Sequence, residues 1–215
     1  MTSPTVHIST HPLVQIQLTQ LRLHDLTPKD FREGVRAISS MLMYEAARAV
    51  PIADVPNLQS PIAPFTGKAL ALRVGLSPIM RAGSGMIDAA LALFPDATVL
   101  HLGLFRDKTT LQAIEYYSKL PTVRTADLVY LLDPLIATGG TIVAALTMLT
   151  EWGLTPSQIK IVSVLGSKSG VEHVTTEFPD VEIYIGAIDD ELTDKGYISP
   201  GLGDAGDRLF NTHNN

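Results

Sequence analysis

Short apolar runs alternate with helical segments from residue 69 onward, and this alternation constrains the fold more than any other feature of the chain. The runs have the length of strands and are almost continuously apolar, whereas the segments between them repeat apolar residues at helical spacing. Such strands are typical of a parallel sheet with helices on both faces. The sequence therefore predicts an α/β fold, with strands at 69–76, 97–105, 128–132, 159–165 and 181–188 and helices at 85–94, 140–152 and 169–178.

The composition limits the classes of protein to which the chain can belong. Its 215 residues, 46% of them hydrophobic, suffice for one domain with its own core. Because the chain has no cysteine, thiol nucleophiles and cysteine-ligated metal sites are excluded. A formal net charge of −6 argues against a nucleic-acid partner, and no apolar run is long enough to cross a membrane. The N-terminal residues do not resemble a signal peptide, so we expect a soluble, cytoplasmic protein.

The region before residue 69 contains one clear helix and one proline-rich stretch. Thr27, Pro28 and Asp30 form a helix start, with threonine as the N-cap and an acid in the first turn. Apolar residues then follow helical spacing as far as residue 49, and Pro51 ends the pattern. Four prolines within residues 51–66 predict an irregular connection or an edge excursion.

A candidate phosphate loop occupies residues 131–141, where a buried strand ends and a helix begins. Gly139 and Gly140 allow backbone amides to approach an anion at the positive end of the helix, and the flanking threonines add hydroxyl donors. The segment is not a Walker loop, which needs Lys after the last glycine, nor a dinucleotide fingerprint, which needs three spaced glycines. The tetrapeptide Thr-Gly-Gly-Thr alone fits a plain strand-to-helix turn equally well. The apolar strand and Asp133 before it favour the phosphate loop.

Two further strand ends carry an arginine. Arg81 lies among glycines after one strand, where its guanidinium could hold a pyrophosphate; a capping turn with a solvated arginine is the alternative. Arg106 leaves the next strand and would complement Arg81, whereas Lys108 is more simply a solvated charge. The six histidines do not show metal-ligand spacing, so we expect no metal site built by the protein.

The C-terminal segment 196–208 contains four glycines, one proline and two acids. This composition predicts fixed turns rather than a helix or a regular strand. The acidic run at residues 189–191, just before it, is interpreted as a solvated turn, with contact to a magnesium-bound water as a lesser alternative.

Together, these segments resemble the uracil branch of the type I phosphoribosyltransferases, from residue 11 to residue 212. In that family the acid at position 133 binds ribose hydroxyls and the following loop grips the 5′-phosphate. The resemblance assigns phosphoribosyl pyrophosphate binding to Arg81, Arg106, Asp133, Pro134, Leu135, Ile136, Ala137, Thr138, Gly139, Gly140, Thr141 and Asp204. It assigns uracil binding to Ile198, Gly203, Asp204 and Ala205, and catalysis to Asp133, Arg106 and Asp204.

A few positions depart from the family pattern. Most other branches carry a second acid where this chain has Pro134, and the Asp-Pro pair resembles the uracil branch specifically. Within that branch, the departures are Ser84, Ala113, Ser199 and Asn211. They leave both arginines, Asp133 and the glycines of the C-terminal segment in place.

The resemblance implies a single domain over residues 1–215, with a type I phosphoribosyltransferase fold and a small base-binding hood formed by the N-terminal and C-terminal segments. It implies transfer of a phosphoribosyl group to N1 of uracil, giving UMP and pyrophosphate in pyrimidine salvage, with Mg²⁺ arriving on the substrate. A homodimer or higher homo-oligomer and a GTP effector are also expected, although no GTP-site motif is visible. Three alternatives stay open: a nucleotide-binding regulator without activity, a plain nucleotide-binding module, and the same chemistry on another base.

Overall fold

The computed structural model describes residues 5–106 and 113–212, with the side chains of residues 105, 106 and 113 left out. The strands in this part are β1 (Val6–Ile8), β2 (Ile52–Gln59), β3 (Pro64–Leu70), β4 (Val74–Met80), β5 (Thr98–Val99), β6 (Leu102–Arg106), β7 (Ala113–Ser118), β8 (Leu128–Leu132), β9 (Leu135–Ile136), β10 (Ile159–Ser167), β11 (Glu182–Asp189), β12 (Glu191–Leu192) and β13 (Ile198–Ser199). The helices are α1 (Pro12–Leu21), α2 (Pro28–Ala46), α3 (Ile87–Leu93), α4 (Gly140–Glu151), α5 (Lys168–Glu177) and α6 (Ala205–Phe210).

The predicted parallel sheet is confirmed. Its strands follow the order β1-β11-β10-β8-β4-β6-β7, with β5 beside β4 and β9 beside β10. Every pairing is parallel except that of β6 with β7. The carboxyl ends of β10, β8, β4 and β6 therefore lie side by side along one edge of the sheet. Asp133 follows β8 and Arg81 follows β4 at this edge, which is where ligands bind in open α/β sheets.

Helices cover both faces of the sheet, as the apolar strands predict. Because side chains alternate along a strand, Tyr130 and Leu132 of β8 join the core under α1 and α2, whereas Val129 and Leu131 join the core under α4 and α5. All four of these β8 side chains are fully buried. The central strand is thus fixed from both sides, and so is the position of Asp133 at its end.

Two helix boundaries follow the sequence signals. The Thr27 side chain accepts a hydrogen bond from the Asp30 N–H at the start of α2, as predicted. The helix ends at Ala46, somewhat before the predicted stop at Pro51. Gly153 follows α4 with a φ of 107°, the left-handed conformation that suits a residue just beyond a helix end.

Several element boundaries are wrong in the sequence prediction. The strand predicted at 69–76 is two strands, because β3 ends at Leu70 and β4 begins at Val74 without a glycine or proline to mark the turn. The strand predicted at 97–105 is likewise interrupted between β5 and β6. The helix predicted at 85–94 begins as a 3₁₀ turn, Ala82–Met86, before α3. The other predicted strands and helices shift by two residues or fewer at either end.

The proline-rich stretch, predicted as an irregular connection or an edge excursion, forms a regular hairpin of two edge strands. Strands β2 and β3 pair with each other in a separate two-stranded antiparallel sheet. Prolines are tolerated there because both strands are edges, where an N–H can remain without a partner in the ladder. The hairpin exposes several large apolar side chains: Ile52, Leu58, Ile62, Phe65 and Leu70.

Candidate active site

The candidate phosphate loop lies between the end of β8 and the start of α4. Gly139 is the N-cap of α4 and has a φ of 81°, which a residue with a Cβ rarely adopts. The first amides of α4, beginning at Gly140, have no partner within the helix and are available to an anion. A cavity of about 60 Å³ lies against this loop, lined by Leu135, Ile136, Ala137, Thr138, Gly139, Thr141 and Ile142. This volume suits a single small group rather than a whole nucleotide.

The N-terminal end of α5 supports the phosphate loop from behind. The Ser167 hydroxyl donates to the Ala137 carbonyl at 2.5 Å and accepts from the Gly170 N–H at 2.9 Å. Nδ1 of His173 lies 2.8 Å from the Thr138 carbonyl. Since a carbonyl can only accept, this ring nitrogen carries the proton. Ser167 and His173 were not identified as site residues from the sequence, because their partners in the phosphate loop lie 30 and 35 positions earlier in the chain.

Gly170 allows the phosphate loop and α5 to approach each other closely. A Cβ at this position would lie 2.1 Å from the Ala137 carbonyl oxygen. A Cβ at Gly139 would lie 2.6 Å from the Gly170 carbonyl oxygen. Both conflicts involve backbone atoms, so neither is relieved by a change of rotamer. The two glycines therefore fix the path of the loop.

Gly170→Ala should displace the phosphate loop and raise the KM for a phosphate-bearing substrate about tenfold or more, because a misplacement of about 1 Å in a binding site is sufficient for this. The resemblance to type I phosphoribosyltransferases predicts that this substrate is phosphoribosyl pyrophosphate. Steady-state kinetics with varied phosphoribosyl pyrophosphate measures the effect. Glu172→Ala, an exposed position of the same helix, is the matched control and should leave the KM unchanged. Equal KM values for the Gly170 variant and the wild type would contradict the supporting role of α5.

Asp133 occupies the sheet edge in an environment that disfavours its charge. Desolvation raises the pKa of its carboxyl group to about 7, and a long hydrogen bond of 3.5 Å from the Leu135 N–H only partly opposes this. A carboxylate desolvated in this way gains more from a nearby cation or hydroxyl donor than a solvated one does. Its position and charge suit a group that orients ribose hydroxyls.

The segment that carries Arg81 packs against the end of β8. A Cβ at Gly83 would lie 2.3 Å from the Leu132 carbonyl oxygen, so this segment directly adjoins the residue before Asp133. The Arg81 guanidinium is about half exposed and donates to Oδ1 of Asp207 and to Oγ1 of Thr212, each at 3.0 Å. Arg81 therefore connects the sheet edge to α6.

Arg106 is the last residue of β6, and β6 pairs with β4 beside the strand end that carries Arg81. This backbone position agrees with a second arginine at the same sheet edge. The Arg106 side chain and Lys108 lie outside the described residues, as does most of the predicted excursion between residues 106 and 114.

The C-terminal segment, called the base loop below (residues 198–205), closes the site from the side of α6. Ile198 and Ala205 are almost completely buried, and Gly203 has a φ of 71°. The prediction that this region contains no helix is wrong from Ala205 onward. Asp204 is the N-cap of α6, and its side chain accepts the Asp207 N–H at 2.9 Å.

A cavity of about 760 Å³ borders the base loop. It is lined by Arg22, His24, Asp25, Leu26, Thr27, Pro28, Pro200, Gly201, Leu202, Gly203, Asp204, Arg208 and Asn211. The connection between α1 and α2 thus forms one wall and the base loop forms the other. Asp133, Arg81 and the phosphate loop do not line this cavity, so it borders the base-loop side of the site rather than the whole site.

Two arginines near the cavity hold the base loop, and the sequence did not single them out. Arg22 forms two hydrogen bonds of 2.7 Å to Asp189, which is only 9% exposed. The interpretation of Asp189 as a solvated turn residue is therefore wrong. Arg208 donates to the carbonyls of Leu202 and Leu21 and lies over the Phe31 ring, 4.2 Å from its centroid.

The three predicted segments converge. A Cβ at Gly206 would lie 3.2 Å from Oδ1 of Asp204 and 3.4 Å from Nη2 of Arg81, so Asp204 of the base loop and the Arg81 guanidinium both border the first turn of α6. The segment that carries Arg81 in turn adjoins the end of β8 at Leu132, where the phosphate loop begins. Within the described ranges, no group of three His, Asp or Glu side chains could hold a metal ion. No helix in these ranges is long and apolar enough to span a membrane.

Both the sequence and the fold are similar to those of known proteins. The sequence matches a family model described as uracil phosphoribosyltransferase over residues 8–212. A relative of that name from Roseiflexus sp. (strain RS-1) is 52% identical, over 96% of this chain and 98% of its own. The solved structure of a protein from Aquifex aeolicus is similar at a TM-score of 0.90 and 33% identity, over 96% of this chain and 98% of that chain. An adenine phosphoribosyl transferase from Trypanosoma brucei shares the fold at a TM-score of 0.51 and 16% identity, over 91% and 88% of the two chains.

Proposed function

The chain belongs to the uracil phosphoribosyltransferase family of pentosyltransferases, and we propose that it joins uracil N1 to the 5-phosphoribosyl group of phosphoribosyl pyrophosphate, giving UMP and pyrophosphate. The observation that carries the proposal is the convergence of the phosphate loop, the Arg81 segment and the base loop at one sheet edge. Relatives at 45–52% identity bear the same name, which does not favour an inactive regulator or another base.

The proposed reaction is a substitution at the anomeric carbon of the ribose. A bond forms between uracil N1 and C1′ as the bond from C1′ to the pyrophosphate oxygen breaks, with inversion of configuration. Positive charge develops on the ribosyl ring and negative charge on the leaving pyrophosphate. The contribution of the protein is therefore positioning and electrostatic stabilisation rather than covalent catalysis.

Each segment has a proposed role in that reaction. The backbone amides and hydroxyls of residues 138–141 hold the 5′-phosphate, and Asp133 orients the ribose hydroxyls. Arg81 and Arg106 neutralise the leaving pyrophosphate, and Asp204 serves the phosphoribosyl substrate from the base loop. Backbone groups of Ile198 and of residues 203–205 receive the uracil ring. The support is the position of each segment at or beside the shared sheet edge.

Magnesium is the metal we propose for this reaction. It prefers oxygen ligands and retains part of its water shell, so a diphosphate with neighbouring ribose hydroxyls suits it. Asp133 is the protein carboxylate that would help to hold it, beside oxygens from the substrate. When bound, the ion would supply charge neutralisation on the diphosphate.

We also propose that the chain is one domain and assembles into a homodimer or higher homo-oligomer. The hairpin of β2 and β3 supports assembly, because it exposes Ile62 at 94% and Phe65 at 48% and pairs with no other strand among the described residues. The cavity between the α1–α2 connection and the base loop supports a hood built from both terminal segments. GTP as an effector and a cytoplasmic location are retained as proposals. Addition of GTP to the assay and sedimentation of the protein test the effector and the assembly.

Incubation of the purified protein with uracil, phosphoribosyl pyrophosphate and Mg²⁺, followed by chromatography, tests the proposed activity. UMP and pyrophosphate should form in equal amounts, and formation should stop when the metal is chelated. A folded protein that binds UMP but forms none from these substrates would indicate the inactive regulator instead.

Arg81→Ala should weaken inhibition by pyrophosphate about tenfold or more, because a hydrogen bond between charged groups contributes about 1.5–3 kcal/mol. Binding of UMP should weaken much less, because its only phosphate is the 5′-phosphate and it has no group at the pyrophosphate position. Inhibition constants for pyrophosphate and UMP give the comparison. Arg73→Ala is the matched control, since Arg73 lies just before the other end of β4, is similarly exposed and also pairs with an aspartate. Equal losses for both ligands at Arg81 would mean that the arginine does not distinguish the pyrophosphate.

A further inference from the structure

The Arg22–Asp189 pair binds both backbone polar groups of one residue of the base loop, Gly201. Oδ2 of Asp189 accepts the Gly201 N–H at 2.9 Å, and Nη1 of Arg22 donates to the Gly201 carbonyl at 3.1 Å. The two side chains also bind each other in a bidentate arrangement, with both distances at 2.7 Å. Gly201 therefore cannot shift without breaking hydrogen bonds that involve charged groups.

Gly201 is coupled closely to Ile198, which is one of the proposed base-binding positions. Gly201 has a φ of 62°, and a Cβ on it would lie 2.0 Å from the Ile198 carbonyl oxygen. The chain therefore folds back on itself between these residues with no space left. Any displacement of Gly201 must move Ile198, and Gly203 lies only two residues further along the loop.

The pair itself stands on regular elements. Asp189 is the last residue of β11, and Arg22 is the C-cap of α1. Helix α1 is further tied to β11, since Gln15 donates to the Gly186 carbonyl at 3.1 Å. Binding groups held by residues on such elements are placed more reproducibly than groups on an unsupported loop. The hydrogen bonds from Arg22 and the Gly201 N–H also lower the pKa of Asp189, although desolvation opposes them, so the carboxylate is charged at neutral pH.

We infer that Arg22 and Asp189 are positioning residues that set the geometry of the uracil site through Gly201. They do not contact the reacting atoms in this role, and the inference rests on the proposed function of the base loop. Uracil would be read by backbone groups, whose polarity no side-chain substitution alters. The pair therefore supplies what the backbone lacks, a fixed position for its donors and acceptors.

Asp189→Asn tests the inference by a split between the two substrates. The amide leaves an NH₂ group facing Arg22, so the bidentate pair is lost while the volume is kept. The KM for uracil should rise about tenfold to a hundredfold, since small misplacements in a site have effects of this size. The KM for phosphoribosyl pyrophosphate should change by no more than about twofold, the size of effect expected for a residue that does not influence the binding of that substrate. Discrimination between uracil and cytosine should also decrease.

Asp127→Asn is the matched control, because Asp127 forms a comparable bidentate pair with Arg73 just before the other end of β4. It should alter neither KM. Arg22→Lys is a second variant, to be used if Asp189→Asn folds poorly. It keeps the charge but loses the bidentate geometry, so it should also raise the KM for uracil.

A lower melting temperature with both KM values unchanged would overturn the inference, because the pair would then only stabilise the fold. Equal increases in both KM values would overturn it as well. Wild-type protein in the same assay distinguishes failure of the proposed function from failure of the inference about Arg22 and Asp189. If the wild type forms no UMP, the proposed function fails and the inference fails with it. If the wild type is active and the variants show no selective change, only the inference fails.

Discussion

Asp133→Asn should lower kcat/KM for phosphoribosyl pyrophosphate about tenfold to a hundredfold, the equivalent of losing one hydrogen bond to a charged group. The same substitution should stabilise the unliganded protein increasingly from about pH 4, with the full effect above about pH 7. The two effects have one cause. Desolvation makes the charged carboxylate unfavourable in the unliganded protein. The same charge would accept hydrogen bonds from the ribose hydroxyls and stabilise the positive charge that develops on the ribosyl ring.

The sign of the stability effect follows from the pKa. Desolvation raises the pKa of Asp133 to about 7 in the folded chain, from an ordinary value of 3.8. Between these values the folded state binds more protons than the unfolded state, so this group makes the wild type less stable as pH rises. One pKa unit corresponds to about 1.4 kcal/mol, so the Asn variant should gain up to about 4 kcal/mol by pH 8. Below about pH 4 the two proteins should have similar stability.

Denaturant unfolding of both proteins across this pH range measures the effect as a difference, which removes the contribution of other titrating groups. Asp127→Asn should behave in the opposite way, since hydrogen bonds from Arg73 hold the pKa of Asp127 well below its usual range. An Asp133→Asn variant that is less stable than the wild type at pH 8 would contradict this prediction, because it would show that the ionised carboxylate is well solvated or paired. Unchanged kcat/KM would remove Asp133 from the proposed mechanism.

Cytosine should be used at least about 10⁴-fold less efficiently than uracil, because sites that depend on specific hydrogen bonds reject mismatched analogues by such factors. Uracil presents an acceptor, a donor and an acceptor at O2, N3 and O4. Cytosine reverses the last two positions, so it would set donor against donor and acceptor against acceptor. The burial of Ile198 and Ala205 makes such a mismatch costly, since water has little access to satisfy the groups.

Size gives two further comparisons within the same series. A fluorine at C5 is little larger than hydrogen, so 5-fluorouracil should be accepted. The methyl group of thymine should crowd the site and be disfavoured. Values of kcat/KM measured separately for the four bases give the ranking. A kcat/KM for cytosine within about tenfold of the value for uracil would contradict specificity for uracil and support only a phosphoribosyltransferase activity.

Much of the fold could be predicted because the relevant signals are local. The strand at residues 128–132 has the predicted bounds, since a continuous apolar run marks a strand buried on both faces. The start of α2 follows from Thr27, Pro28 and Asp30, which act within one helical turn. The predicted parallel sheet then implies that Asp133 and Arg81, each at the carboxyl end of a strand, lie at the same edge; the order of the strands comes from the structure.

The remaining features depend on contacts that no local pattern contains. Arg22 and Asp189 are 167 positions apart, and a run of acids is ordinarily exposed, so the pair could not be anticipated. The helix α6 was missed because glycines and acids usually indicate turns, whereas here Asp204 caps the first turn. The regular pairing of β2 with β3 was not identified, because prolines usually argue against strands and are permitted here only on edge strands.

One competition experiment tests the central claim most directly. The protein is incubated with limiting phosphoribosyl pyrophosphate, Mg²⁺ and equal concentrations of uracil, cytosine, thymine and hypoxanthine. The nucleotides formed are then separated by chromatography. The account predicts UMP as essentially the only nucleotide, formed together with an equal amount of pyrophosphate. Another nucleotide as the main product, or consumption of phosphoribosyl pyrophosphate without UMP, would contradict it.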